Sequence, residues 1–178
     1  MDLKLIQIRE SKPEDYNDII DVEHRAFNRQ DVVGLVKDLL ADDTSEPMVS
    51  LLAFYEDHPV GHIIFSKAHF KEGDNQPLMH ILAPLAVVPE FQNKGIGGLL
   101  IEAGIERLKA MGSKLVFVLG HATYYPRHGF IADAARLGYP APYPILEEFS
   151  DCWMVQPIGE AGMDIGKGQI GCCEAMDK

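Results

Sequence analysis

Basic side chains are scarce in this chain: 16 Lys and Arg stand against 27 Asp and Glu in 178 residues, a formal net charge of −11. That balance disfavours nucleic acid as a partner, because binding it rests largely on Lys and Arg neutralising phosphates. Cysteine is scarcer still. Cys152, Cys172 and Cys173 are odd in number, lack metal-ligand company and fit a reducing compartment better than a disulfide scaffold. Long apolar runs are missing as well. No stretch reaches the roughly 18 residues a membrane span needs, and the opening MDLKLIQIRE alternates apolar and polar where a signal peptide would carry an apolar block. These absences predict a cytoplasmic protein with no metal site and neither nucleic acid nor membrane as partner.

Apolar content, by contrast, is ample. At 47% hydrophobic the chain is long enough for one core and too short for two comfortable ones. Its acidic excess is most simply a solvated surface, since fields from exposed charges fade over about 8 Å at physiological salt.

Hydrophobic periodicity then divides the chain. Residues 3–9 alternate with period two and predict a first strand, after which Ser11 and Glu14 form an S-x-x-E capping box around Pro13. A helix is expected to about Phe27 and a second over roughly residues 32–41. Residues 49–56 and 59–68 read as a hairpin broken at Asp57 and His58. The next strand, about residues 78–88, contains Pro84, which cannot donate to a ladder and predicts a bulge. Helical spacing returns over residues 96–111, closed by Gly112, and KLVFVLG follows as a buried strand. Pro140, Pro142 and Pro144 mark a long excursion before a last strand at residues 152–156. Residues 159–178, rich in glycine, are expected to be mobile or to pack only loosely.

The most informative stretch is QNKGIGG, residues 92–98, where a strand-like run gives way to an amphipathic helix. Glycines let the backbone come close to a ligand, and the first N–H groups of a helix have no partners within it. The helix dipole adds about half a positive charge at that end, so a pyrophosphate can be held without a basic pocket. The segment is neither GxxxxGK[ST] nor GxGxxG, which weakens both common nucleotide readings.

LAVVPEFQNKGIGGLL resembles the acyl-CoA signature of the GNAT acyltransferase superfamily, a Gln or Arg, two variable residues, Gly, any residue, then Gly or Ala; Gln92, Gly95 and Gly97 fill it. Downstream, YYPRHGF resembles the family's short helix and turn ending in Gly-Phe, with Tyr125 four residues before Gly129. The likeness extends over roughly residues 3–157.

The resemblance implies an α/β fold: a mixed, mostly antiparallel sheet of six to seven strands flanked by about four helices, with splayed central strands. It implies one acyltransferase domain over residues 1–158, with residues 159–178 as the tail. It also implies acetyl-CoA as cosubstrate, its pantetheine arm against Leu85, Ala86 and Val87 and its phosphates on Gln92, Asn93, Lys94, Gly95, Ile96, Gly97 and Gly98. The acetyl group would pass to a primary amine, small molecule or peptide, by direct attack in a ternary complex. Tyr125 takes the family's general-acid position; His80 and His121 are the candidate bases. The acceptor pocket would be lined by the segment around residues 27–33, the 71–77 loop and the proline-rich excursion. A non-catalytic acyl-CoA-binding sensor on the same fold is the alternative, and a homodimer is open, since dimers are common in the family.

Overall fold

Alternation in residues 6–10 gives the first edge strand, β1 (Ile6–Glu10), in a computed structural model that describes residues 2–74, 76–160 and 162–177. Two helices follow, α1 (Tyr16–Phe27) and α2 (Gln30–Ala41). Then come β2 (Val49–Tyr55), β3 (His58–Phe70) and β4 (Met79–Val87), α3 (Ile96–Ala110), β5 (Leu115–Leu119), β6 (Trp153–Pro157) and β7 (Ile170–Cys172). A single 3-10 turn, Tyr125–His128, stands where a fourth helix would be.

The seven strands form one sheet in the order β1-β2-β3-β4-β5-β6, with β7 on β3. Every pairing is antiparallel except β4 with β5. Each face is covered. Leu51, Ile63, Phe65, Leu82, Val116 and Val118 pack in the cluster that holds Leu100, Ile101 and Leu108 of α3. On the other side, Leu52 and Ile64 meet Ile19 of α1 and Val36 and Leu39 of α2. Further along the sheet Phe117, Trp153 and Val155 are covered by Tyr139 from the proline-rich excursion.

Local chemistry explains the turns. Glu56 and Asp57 both take positive φ, 48° and 70°, the two-residue geometry that suits the right-handed twist of a hairpin. At the start of α1 the structure shifts the expected cap by one residue. The box is made by Asp15, whose carboxylate accepts the Lys12 N–H at 2.7 Å, while Ser11 Oγ bonds Ser50 Oγ at 2.7 Å. Asp15 has the stronger claim because the Arg9 guanidinium grips it with bonds of 2.7 and 3.0 Å.

The tail departs from expectation. β7 pairs Ile170, Gly171 and Cys172 with Phe70, His69 and Ala68, taking up the part of β3 that lies beyond its pairing with β2. Ile170 is fully buried, and Cys172, Cys173 and Ala175 are nearly so. Its large apolar residues are few, but they fall where an unpaired strand edge needs covering.

Candidate functional site

Pro84 makes the site possible. Ile63 faces Leu85 and Phe65 faces Leu82, so Ala83 and Pro84 together oppose Ile64: a bulge, where the proline predicted one. β4 is paired to β5 only through Met79, His80, Ile81 and Leu82. Beyond Leu82 the two parallel strands separate, while β4 stays on β3 to Val87.

The ladder then decides which backbone groups face the gap. Val88 N–H donates to Val60 O at 2.9 Å, making that a hydrogen-bonded pair. By the alternation of antiparallel ladders, Ala86 is the next hydrogen-bonded residue, opposite His62, whereas Leu85 and Val87 aim their N–H and C=O groups away from β3 into the gap. Val87 O confirms the direction, because it accepts the Gln92 side-chain amide at 2.9 Å.

Next to the gap opens a cleft of about 600 Å³ lined by Leu85, Val87, Phe91, Gln92, Asn93, Gly95, Ile96, Gly97, Gly98, Tyr124, Arg127 and His128. Asn93 and Gly95 take positive φ, 61° and 94°, which turns the chain sharply into α3. Leu99 N–H bonds Gly95 O at 3.2 Å, so Ile96, Gly97 and Gly98 supply the N–H groups left without intrahelical partners. No side chain can intrude here without cost. A Cβ on Gly98 would stand 2.8 Å from the His128 ring, and one on Gly97 would meet Tyr124.

The other predicted residues fall variously. Ala86 is buried and bonded to β3, so it offers the gap no free backbone group. Gln92 ties the loop to the end of β4 with its side chain, leaving its backbone at the cleft. Lys94 is exposed and outside the cleft lining. His80 requires correction. It is wholly buried in the paired half of β4, its ring bonded to Ser113 Oγ at 2.8 Å and Pro47 O at 2.7 Å, roughly 17 Å along the strand from Leu85. Burial holds its pKa below the usual histidine value, and both ring nitrogens are occupied, so it fixes structure and meets no substrate. His121 is exposed just past β5, at the end where the strands part; its carbonyl accepts the Tyr124 and Tyr125 N–H groups.

The adjacent tyrosines divide. Tyr124 lines the cleft beside Gly97, stacked under the Arg127 guanidinium at 5.2 Å. Tyr125 packs against Gly120, at the end of β5, and edge-on to Phe130. Its hydroxyl has no hydrogen-bond partner among the described residues, and burial first, then the neighbouring Tyr124, raises its pKa. Sequence reasoning passed over Tyr124, Phe91 and His128. The only available signal was position, since YYPRHGF packs two tyrosines, an arginine and a histidine into the turn that faces α3.

A sheet parted at a bulge, beside a helix opened by glycines, defines an α/β protein with a slot between two strands and a helix N-terminus next to it. Residues 9–139 match the Acetyltransferase (GNAT) family, and the chain belongs to it. It is 54% identical over 160 residues to the uncharacterised N-acetyltransferase YjhQ of Escherichia coli (strain K12), covering 90% of this chain and 88% of that protein. Among solved structures, the GNAT family N-acetyltransferase YhbS of Escherichia coli in complex with CoA superposes with a TM-score of 0.86 at 24% identity, over 100% of this chain and 96% of that one. A GNAT family acetyltransferase from Brucella melitensis in complex with acetyl-CoA gives 0.75 at 26% identity, over 97% and 98%.

Proposed function

We propose that the protein is an N-acetyltransferase that moves the acetyl group of acetyl-CoA to a primary amine by direct attack in a ternary complex. The observation that carries this reading is the junction of gap and cradle: backbone groups of Leu85 and Val87 turned away from β3 lie beside the free N–H groups of Ile96, Gly97 and Gly98. The first pair suits the amides of a pantetheine arm, the second its pyrophosphate.

Each step then has a candidate. An alkyl ammonium with pKa near 10 needs roughly 4 kcal/mol to be neutral at pH 7, and the base we assign is His121, exposed just past the end of β5, acting through a water. The freed nitrogen attacks the thioester carbonyl carbon. A backbone N–H of β4 aimed into the gap stabilises the developing oxyanion by about 3 kcal/mol. As the C–S bond breaks, the departing thiolate takes a proton from Tyr125 Oη. Burial raises the pKa of that phenol, so it is protonated at neutral pH and stabilises the leaving sulfur first as a hydrogen-bond donor.

Two measurements test the reading together: calorimetric titration with acetyl-CoA, and release of CoA thiol with a panel of primary amines, on wild type and Tyr125→Phe. Acetyl-CoA should bind to both proteins, with turnover at least about tenfold lower in the variant. Unchanged turnover in Tyr125→Phe would remove the general acid from the scheme. Binding without thiol release to any amine favours the sensor alternative.

A further inference from the structure

If the cleft beside α3 holds CoA, as proposed above, the face of the sheet opposite α3 is left for the amine. Side-chain alternation on β5 shows what it meets. Val116 and Val118 belong to the cluster under α3, so Leu115, Phe117 and Leu119 point to the other face. Leu119 lies one residue past the last β4–β5 pair, at the edge of the gap, and is 44% exposed.

The proline-rich excursion brings more apolar surface to the same edge. Leu119 pairs with Trp153, and Gly120 N–H donates to Cys152 O at 3.0 Å, which fixes the 3-10 turn Glu147–Cys152 beside the end of β5. Tyr143 packs edge-on against Trp153 at 6.1 Å between centroids, so the chain entering that turn crosses the same place. From this turn and its leading residue, Phe149 and Leu146 present large side chains to solvent, 51% and 65% exposed.

The turn itself carries charge of one sign, while Lys71 is held further back on the excursion, its ammonium donating to Pro142 O at 3.2 Å. Between Arg136 and Lys167 the sequence holds no Lys or Arg. Glu147, Glu148 and Asp151 are exposed on the turn, with no ion-pair partner among the described residues.

Resting on the acetyltransferase reading above, we propose that this lip selects the acceptor: a primary ammonium carried on an apolar or aromatic skeleton. The skeleton covers Leu119, Leu146 and Phe149, and the carboxylates raise the local concentration of the cation before it loses its proton. A short polar amine leaves the apolar side chains wet. A polyamine satisfies the carboxylates but covers nothing.

The test compares ethylamine, hexylamine, phenethylamine and spermidine as acceptors, following CoA thiol release, with acetyl-CoA titrated calorimetrically into the same preparations. Hexylamine and phenethylamine should exceed ethylamine in kcat/KM by about tenfold or more, chiefly through KM. In the double variant Leu146→Ser, Phe149→Ser that ratio should fall towards one while acetyl-CoA affinity is unchanged. Raising the salt should raise KM for the apolar amines. Preference for ethylamine or spermidine, or an unchanged ratio in the double variant, overturns the proposal. So does firm acetyl-CoA binding with none of the four amines acetylated. Absence of acetyl-CoA binding is a different failure: it removes the acetyltransferase reading beneath.

Discussion

The hydroxyl of Tyr124 stands 2.5 Å from the point a Cβ on Gly97 would occupy. The phenol therefore roofs the helix N-terminus, and the glycine is required by what lies over it, since no positive φ is recorded at that position.

A valine at 97 fills the cradle where the helix N–H groups are presented. We expect Gly97→Val to weaken CoA binding at least about tenfold in calorimetry. Thermal unfolding should shift by only a few degrees, because the Tyr124 side chain can swing outward. Equal affinity in the two proteins would take the phosphates out of this loop.

Gly104 separates a structural glycine from a ligand glycine on the same helix. A Cβ there runs into the ring of Phe65, which is fully buried and has nowhere to retreat. Gly104→Ala should lose about 1–3 kcal/mol in urea unfolding, the usual cost of overpacking, and bind CoA normally once folded.

Asp15 should leave an acid signature. Its hydrogen bonds to Arg9 hold its pKa down to about 2 from an ordinary 3.8. A depressed carboxylate contributes stability above its unfolded pKa and loses it as the pH falls through the folded value. Wild type should therefore shed about 1–2 kcal/mol between pH 4 and pH 2 that Asp15→Asn does not, after allowance for the half-exposed arginine. Unfolding free energies measured across that window decide it; parallel curves would deny the pair its role.

Removal of residues 169–178 takes away β7 and uncovers the edge of β3. Ile170 alone is worth roughly 1.5–3 kcal/mol when fully buried. The truncated protein should unfold at clearly lower urea, while acetyl-CoA affinity at the far end of β3 is preserved. A truncation as stable as the full chain would mean that β7 contributes nothing to the fold.

Periodicity made most of the sheet and all three long helices legible, because each buries one face and repeats accordingly. Pro84 announced the bulge, since a proline within a paired strand has few other places to sit. Three things were not legible. The tail's strand is three residues long, and only the uncovered stretch of β3 calls it into the sheet. His80 looked available because sequence does not show that Ser113 and Pro47 saturate it. The box at α1 moved by one residue, from Ser11 and Glu14 to Lys12 and Asp15, because the arginine that grips Asp15 lies across a turn. Of the cradle, the glycines could be read in advance; the phenol and imidazole above them depended on how the Tyr125–His128 turn folds back onto α3.

Beneath α1, Glu23 and His62 are both wholly buried and bonded at 2.6 Å, His62 in turn bonded to Ser50 at 2.9 Å, while Glu23 Oε1 has no hydrogen-bond partner among the described residues. A helix anchored in this way cannot lift from the sheet without parting a buried carboxyl group from its imidazole. α1 and the middle of the sheet therefore behave as one body, and rearrangement falls to elements outside that contact, the proline-rich excursion among them.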